Sequence, residues 1–138
     1  MPASMFMSPE HVARMNELLA ASAEVRAACA DLDRDCEIAY ELSDGPSGTV
    51  HWVLRFDRGL GARFSLEPSP RADITYFGDW ADVIRTSRAA HAGEPVEENL
   101  TESGDASVLE RVAHAYATAR RVATVPVEFP DVGPAEAR

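Results

Sequence analysis

Residues 48–80 read GTVHWVLRFDRGLGARFSLEPSPRADITYFGDW, and this stretch decides the fold. Val50, Trp52, Leu54 and Phe56 alternate with His51, Val53, Arg55 and Asp57. A period of two predicts a strand with one buried face. Arg58-Gly59-Leu60-Gly61 predicts a turn, because glycine accepts the positive φ that a tight reversal needs. Ala62, Phe64 and Leu66 alternate with Arg63, Ser65 and Glu67, so a second strand returns. Pro68-Ser69-Pro70 breaks it. Ala72, Ile74 and Tyr76 begin a third strand, and Gly78-Asp79-Trp80 switches to a helix. The pattern describes a meander whose apolar face must be covered.

The flanking segments supply the cover. Ser8-Pro9-Glu10 predicts a helix start: Ser as N-cap, Pro at the first helical position, and Glu at the positive helix end. Val12, Met15, Leu19 and Ser22 mark one face, which continues through Val25, Cys29 and Leu32 after a phase shift at Ala20-Ala21-Ser22. Either one bent helix or two abutting ones fits. Cys36, Ile38, Tyr40 and Leu42 alternate with Glu37, Ala39 and Glu41, which adds a strand before the Ser43–Gly48 turn. Asp79 caps a helix with Trp80, Val83, Ile84 and Ser87 inward, ended by Gly93 and Pro95. Residues 97–103 have a strand's length but one large apolar residue, Leu100. Asp105 caps a last helix with the stripe Val108, Leu109, Val112, Tyr116, Ala119 and Ala123, while Glu110, Arg111, His114, Thr118 and Arg121 face water. Residues 1–123 read as one domain and 124–138 as a Pro-rich, partly disordered tail, its first part tied down by Val125, Val127 and Phe129.

Composition narrows the function classes. A formal net charge of −10 disfavours nucleic acid and anionic membrane surfaces as partners. No apolar run is long enough to span or stably enter a bilayer, and no secretory signal is visible, so the expected location is cytoplasmic. Every cationic side chain is Arg, which excludes lysine Schiff-base chemistry. Cys29 and Cys36 lack the spacing of a zinc or redox pair and read as buried thiols. The histidines, His11, His51, His91 and His114, are scattered without metal-ligand spacing, so neither a metal nor a cofactor is expected. No G-x-S-x-G motif is present, and Gly59-Leu-Gly61 sits in a hairpin rather than before a helix.

Taken in order, the blocks resemble the sterol carrier protein 2 family. The resemblance is carried by Trp52-Val-Leu-Arg-Phe56, Asp57-Arg-Gly59-Leu-Gly61, Ala72-Asp73-Ile74-Thr75-Tyr76, the helix opening at Asp79-Trp80, and Ser103-Gly104-Asp105 before an apolar helix. It covers most of residues 10–123. It implies an α+β domain: a mainly antiparallel sheet of about five strands, covered on one face by helices, with an apolar cavity between. It also implies a non-catalytic carrier of a sterol, fatty acid or acyl-coenzyme A-like lipid, with a lipid-metabolising enzyme as a second candidate partner. The cavity walls implied are Trp52, Leu54, Phe56, Phe64, Leu66 and Ile74 from the strands. Trp80, Ile84, Leu100, Leu109 and Val112 would add to them, with Tyr76 and Tyr116 (and Tyr40) supplying polar groups. The chain departs from the family where Glu98, Leu100 and Glu102 replace alternating apolar residues. Either this strand is an exposed edge, which the pattern favours, or the cavity has a polar wall. A catalytic alternative would use Glu102 as a buried acid or base with Tyr116 or His114.

Overall fold

The computed structural model describes residues 3–96 and 99–131. β1 (Ser4–Met5) leads into α1 (Pro9–Ala21), whose N-cap Ser8 accepts from the His11 N–H. Ser22 ends α1 with its N–H on the Leu19 carbonyl, and its hydroxyl accepts from Val25 N–H to start α2 (Ala23–Ala30). Of the two readings left open, the abutting pair is correct. The buried stripe of α1 is His11, Met15 and Leu19, so His11 takes the place expected of the half-buried Val12.

β2 (Cys36–Gly45), β3 (Gly48–Asp57) and β4 (Gly61–Ser65) form the expected antiparallel hairpins. In the second turn the Asp57 carboxylate accepts from Gly59 N–H (2.8 Å) and Leu60 N–H (3.0 Å). These bonds hold its carboxyl below the usual carboxylate range. Gly61 has φ 98°, so the turn uses its glycine as the sequence predicts.

The meander stops at β4. β5 (Ile74–Asp79) does not pair with β4 but lies parallel to β2, and β6 (Thr101–Gly104) pairs antiparallel with β5. The five-stranded order is β4-β3-β2-β5-β6. Pro68 and Pro70 carry the chain from β4 to the far side of β2 across the outer face of the sheet, where Ser69 donates to Glu37 Oε2 at 3.0 Å. This crossing buries Val53 and Ala39, which alternation places away from the helices. The sheet is mostly antiparallel with helices on the other face, an α+β arrangement as expected.

Asp73 ties the ends of three strands together. Its carboxylate accepts from Arg34 (2.7 Å) and from Glu37 N–H in β2 (2.8 Å), and its carbonyl accepts from Asp105 N–H (2.7 Å). α3 (Trp80–His91) starts directly from β5, with the Asp79 carboxylate accepting from Asp82 N–H. α4 (Val108–Arg111) and α5 (Ala113–Val122) divide the expected last helix at Val112. Val108, Val112, Ala115 and Ala119 form its buried stripe. Leu109 lies one residue, about 100°, off that stripe and is 38% exposed, which corrects its assignment to the apolar face. Thr118 is buried instead of facing water, and its hydroxyl donates to the His114 carbonyl. β7 (Val127–Glu128) pairs parallel with β1. No helix among the described residues is long and apolar enough to cross a membrane.

Gly104 has φ 118°, and a Cβ there would fall 2.4 Å from the Asp73 carbonyl oxygen. Gly93 also has positive φ, at 76°, but a Cβ there meets nothing within 4 Å. Gly104→Ala should therefore destabilise the protein by about 3 kcal/mol or more and Gly93→Ala by only about 1 kcal/mol, read from urea unfolding midpoints. Equal costs would mean that the Asp73 contact does not constrain β6.

Candidate functional site

The helix-bearing face of the sheet is not uniform. Ile38, Leu54, Phe56 and Ile74 are almost wholly buried under α1, α2, α4 and α5. One step along the same strands, Tyr40, Trp52 and Tyr76 are only half-buried. Here the cover changes to α3 and the N-terminal segment, and the roof parts from the floor. Tyr40 and Tyr76 stack at 5.1 Å between ring centroids. Trp52 meets Phe6 (5.9 Å), His11 (5.7 Å) and Phe64 (5.1 Å).

The gap is a cleft of two adjoining compartments. The smaller, about 150 Å³, lies between Tyr40, Trp52 and Tyr116 and a wall of Asp82, Val83, Thr86, Asn99 and Leu100. The larger, about 380 Å³, extends to Met15, Phe64, His91 and Arg120 and is bordered by Val125 and Val127. Phe6, Trp52, Thr86, Ser87 and Tyr116 line both. The β1–β7 pair holds Phe6 in place, with Phe6 N–H on the Glu128 carbonyl at 2.8 Å and its ring 5.0 Å from that of Phe129.

Of the residues expected to wall a cavity, Trp52, Phe64, Leu100 and Tyr116 line the cleft. Tyr76 lies beside Tyr40 on the neighbouring strand, stacked on its ring, and borders neither compartment. Leu54, Phe56, Ile74, Ile84 and Val112 are packed core, each at most 4% exposed. Leu66 and Trp80 are half-buried and border neither compartment, and Leu109 faces solvent. Phe6, Met7, His11 and Thr86 were not expected here. The one signal for the first two was the apolar run Met5-Phe6-Met7 immediately before the helix cap.

Glu102 pairs across from Tyr76 but is exposed on the edge strand. The exposed-edge reading is therefore correct for β6, and a buried acid at Glu102 is excluded. Glu98 lies outside the described residues. The polar wall that does exist comes from Asp82 and Asn99. Burial pushes the thiols of Cys29 and Cys36 up, which leaves little thiolate for nucleophilic attack. No three His, Cys, Asp or Glu side chains among the described residues gather as metal ligands.

His11 is 4% exposed, boxed by the rings of Phe6 and Trp52. Its Nδ1 accepts from Met7 N–H at 3.1 Å, so the neutral ring carries its proton on Nε2. Burial, and next the charge on His91, lower its pKa from 6.5 to about 4.

No protein-family model matches the chain, and no curated protein sequence does. Solved structures match in fold. The crystal structure of sterol carrier protein 2 aligns at TM-score 0.53 and 19% identity, covering 86% of this chain and 96% of that one. The solution structure of a conserved hypothetical protein from Thermus thermophilus, described as a candidate sterol carrier protein, aligns at TM-score 0.53 and 19% identity. That alignment covers 96% of this chain and all of the other, at 100%. The chain therefore has the sterol carrier protein 2 fold.

The depressed pKa of His11 has a definite consequence. As pH falls, the unfolded chain takes up this proton first. The contribution of His11 to stability is complete above pH 6.5 and is lost as pH falls toward 4. His11 should contribute about 2–3 kcal/mol to the fall in unfolding free energy over that interval, so the fall should be smaller by about that amount in His11→Phe. Parallel pH profiles for the two proteins would show that the box does not hold the imidazole neutral.

Proposed function

We propose that this chain binds a hydrophobic small molecule, of lipid type, in the cleft between the sheet and its helices. The observation that carries this reading is the half-buried aromatic floor of Tyr40 and Trp52, from which the roof stands apart while the neighbouring Leu54 and Phe56 are fully packed. A domain that needed only a core would close this gap, since each exposed aromatic forfeits burial worth roughly 25 cal/mol per Å². The larger compartment falls within the ordinary range for small-molecule sites, about 300–1,000 Å³. The sterol carriage named for the structure it resembles in fold supports the same reading.

The chemistry of the walls describes the ligand further. Apolar contact comes from Phe6, Trp52, Phe64 and Tyr116, and polar contact from Asp82 and Asn99 in the smaller compartment, His91 and Arg120 in the larger, and Thr86 in both. This suits a molecule with an apolar body and a polar end better than a wholly apolar one. Binding is driven by removal of apolar surface from water, and no group transfer is required.

Native mass spectrometry of the freshly purified protein, followed by solvent extraction, tests this. A discrete added mass that extraction removes and identifies as a lipid is the expected result. Trp52→Ala should weaken rebinding of that lipid by about tenfold or more, through loss of floor contact. A clean unliganded mass that does not change on adding fatty acids, acyl-coenzyme A or sterols would overturn the proposal.

A further inference from the structure

The larger compartment differs in charge from the rest of this acidic protein. The chain has 23 Asp and Glu against 13 Arg. Other clefts on the surface include carboxylates: Asp82 in the smaller compartment, Glu41 on the outer sheet face, and Glu37 and Glu67 beside the Pro68–Pro70 crossing. Among the described residues, no carboxylate lines the larger compartment. Its basic groups are Arg120, His91 and His11.

The placement of Arg120 is specific. Arg120 and Arg121 both occupy the last turn of α5, where a cation suits the negative helix end. Arg121 is paired there with Glu24. Arg120 makes no ion pair with a described residue and instead lies over the Tyr116 ring, 5.9 Å from its centroid, at the wall of the cleft. The other arginine near this end, Arg88, donates to the backbone carbonyls of Phe129 and Pro130. His91 presents its ring edge-on to Phe129, 5.1 Å away. The bond from Met7 N–H to His11 Nδ1 leaves Nε2–H as the donor His11 can offer a ligand.

We propose that Arg120, with His91 and His11, forms a subsite for the anionic end of an amphiphilic ligand whose apolar chain lies along Trp52. The inference rests on the binding role proposed for the cleft. It adds where the acidic end of such a ligand, a carboxylate or phosphate, is held: toward α5, at the Arg120 side of the larger compartment. A planar guanidinium suits both groups.

The test compares oleate, oleyl phosphate, oleyl alcohol and oleylamine, each below its micelle concentration, binding to the whole chain. Oleate or oleyl phosphate should bind about tenfold tighter than oleyl alcohol, with oleylamine weakest. Whichever anion binds tighter names the head group. Arg120→Gln should bring the anion close to parity with the alcohol, and Arg120→Lys should keep part of the preference. Equal binding of oleate, oleyl phosphate and oleyl alcohol would overturn the subsite while leaving the cleft as a binding site. So would an Arg120→Gln effect equal for all ligands. Failure of all the ligands to bind would overturn the cleft reading beneath it.

Discussion

The structure depends on a single constraint: β2, β3 and β5 send the alternate side chains of one sheet face toward helices that cannot cover that face evenly. Where α1, α2, α4 and α5 converge, Ile38, Leu54, Phe56 and Ile74 are shut away from water by Leu19, Val25, Val108 and Val112. These contacts carry the stability of the domain, because burial of large aliphatic and aromatic side chains is the dominant favourable term in folding. Further along the same strands the cover is thinner, and Tyr40, Trp52 and Tyr76 remain half-buried. Core and cleft are thus two ends of one surface, distinguished by which helix lies above.

Two devices hold the thinner end open without letting it unravel. On the outer side, the Pro68–Pro70 crossing and the Asp73 hydrogen bonds tie β5 to β2. At the roof, the short β1–β7 pair anchors Phe6 against Phe129 and presents it to Trp52. His11 completes this aromatic box as a neutral ring, its Nδ1 satisfied by a backbone N–H and its charge suppressed by burial. A buried imidazole without such a partner would be a liability. Here it fixes the turn of chain that borders the cleft.

Much of the fold was legible in the residues themselves. Alternation found β2, β3 and β4, the caps Ser8 and Asp79 placed the starts of α1 and α3, and Gly61 marked its turn. The meander reading failed at β5, because period two says that a strand exists and not which edge it joins. Ser69 and Asp73 bond to Glu37 on β2, with β3 lying between it and β4, and no local pattern records that partnership. Leu109 misled for the same reason: being apolar and near the stripe does not settle a rotation of about 100°. The site was legible only in part. Apolar character selected Trp52, Phe64, Leu100 and Tyr116, but it equally selected Leu54, Phe56, Ile74, Ile84 and Val112, which fill space rather than enclose it.

By itself, the sequence determined the element types, which strand faces are apolar, and the absence of a lysine amine from any chemistry, because these follow from composition and local periodicity. Tertiary structure alone decided that β5 joins β2, that Phe6 and His11 reach across to Trp52, and that Arg120 shares a compartment with His91. Those outcomes depend on how far apart the roof and the floor stand. That spacing is set by the packing of several distant segments at once, and no single stretch of chain encodes it.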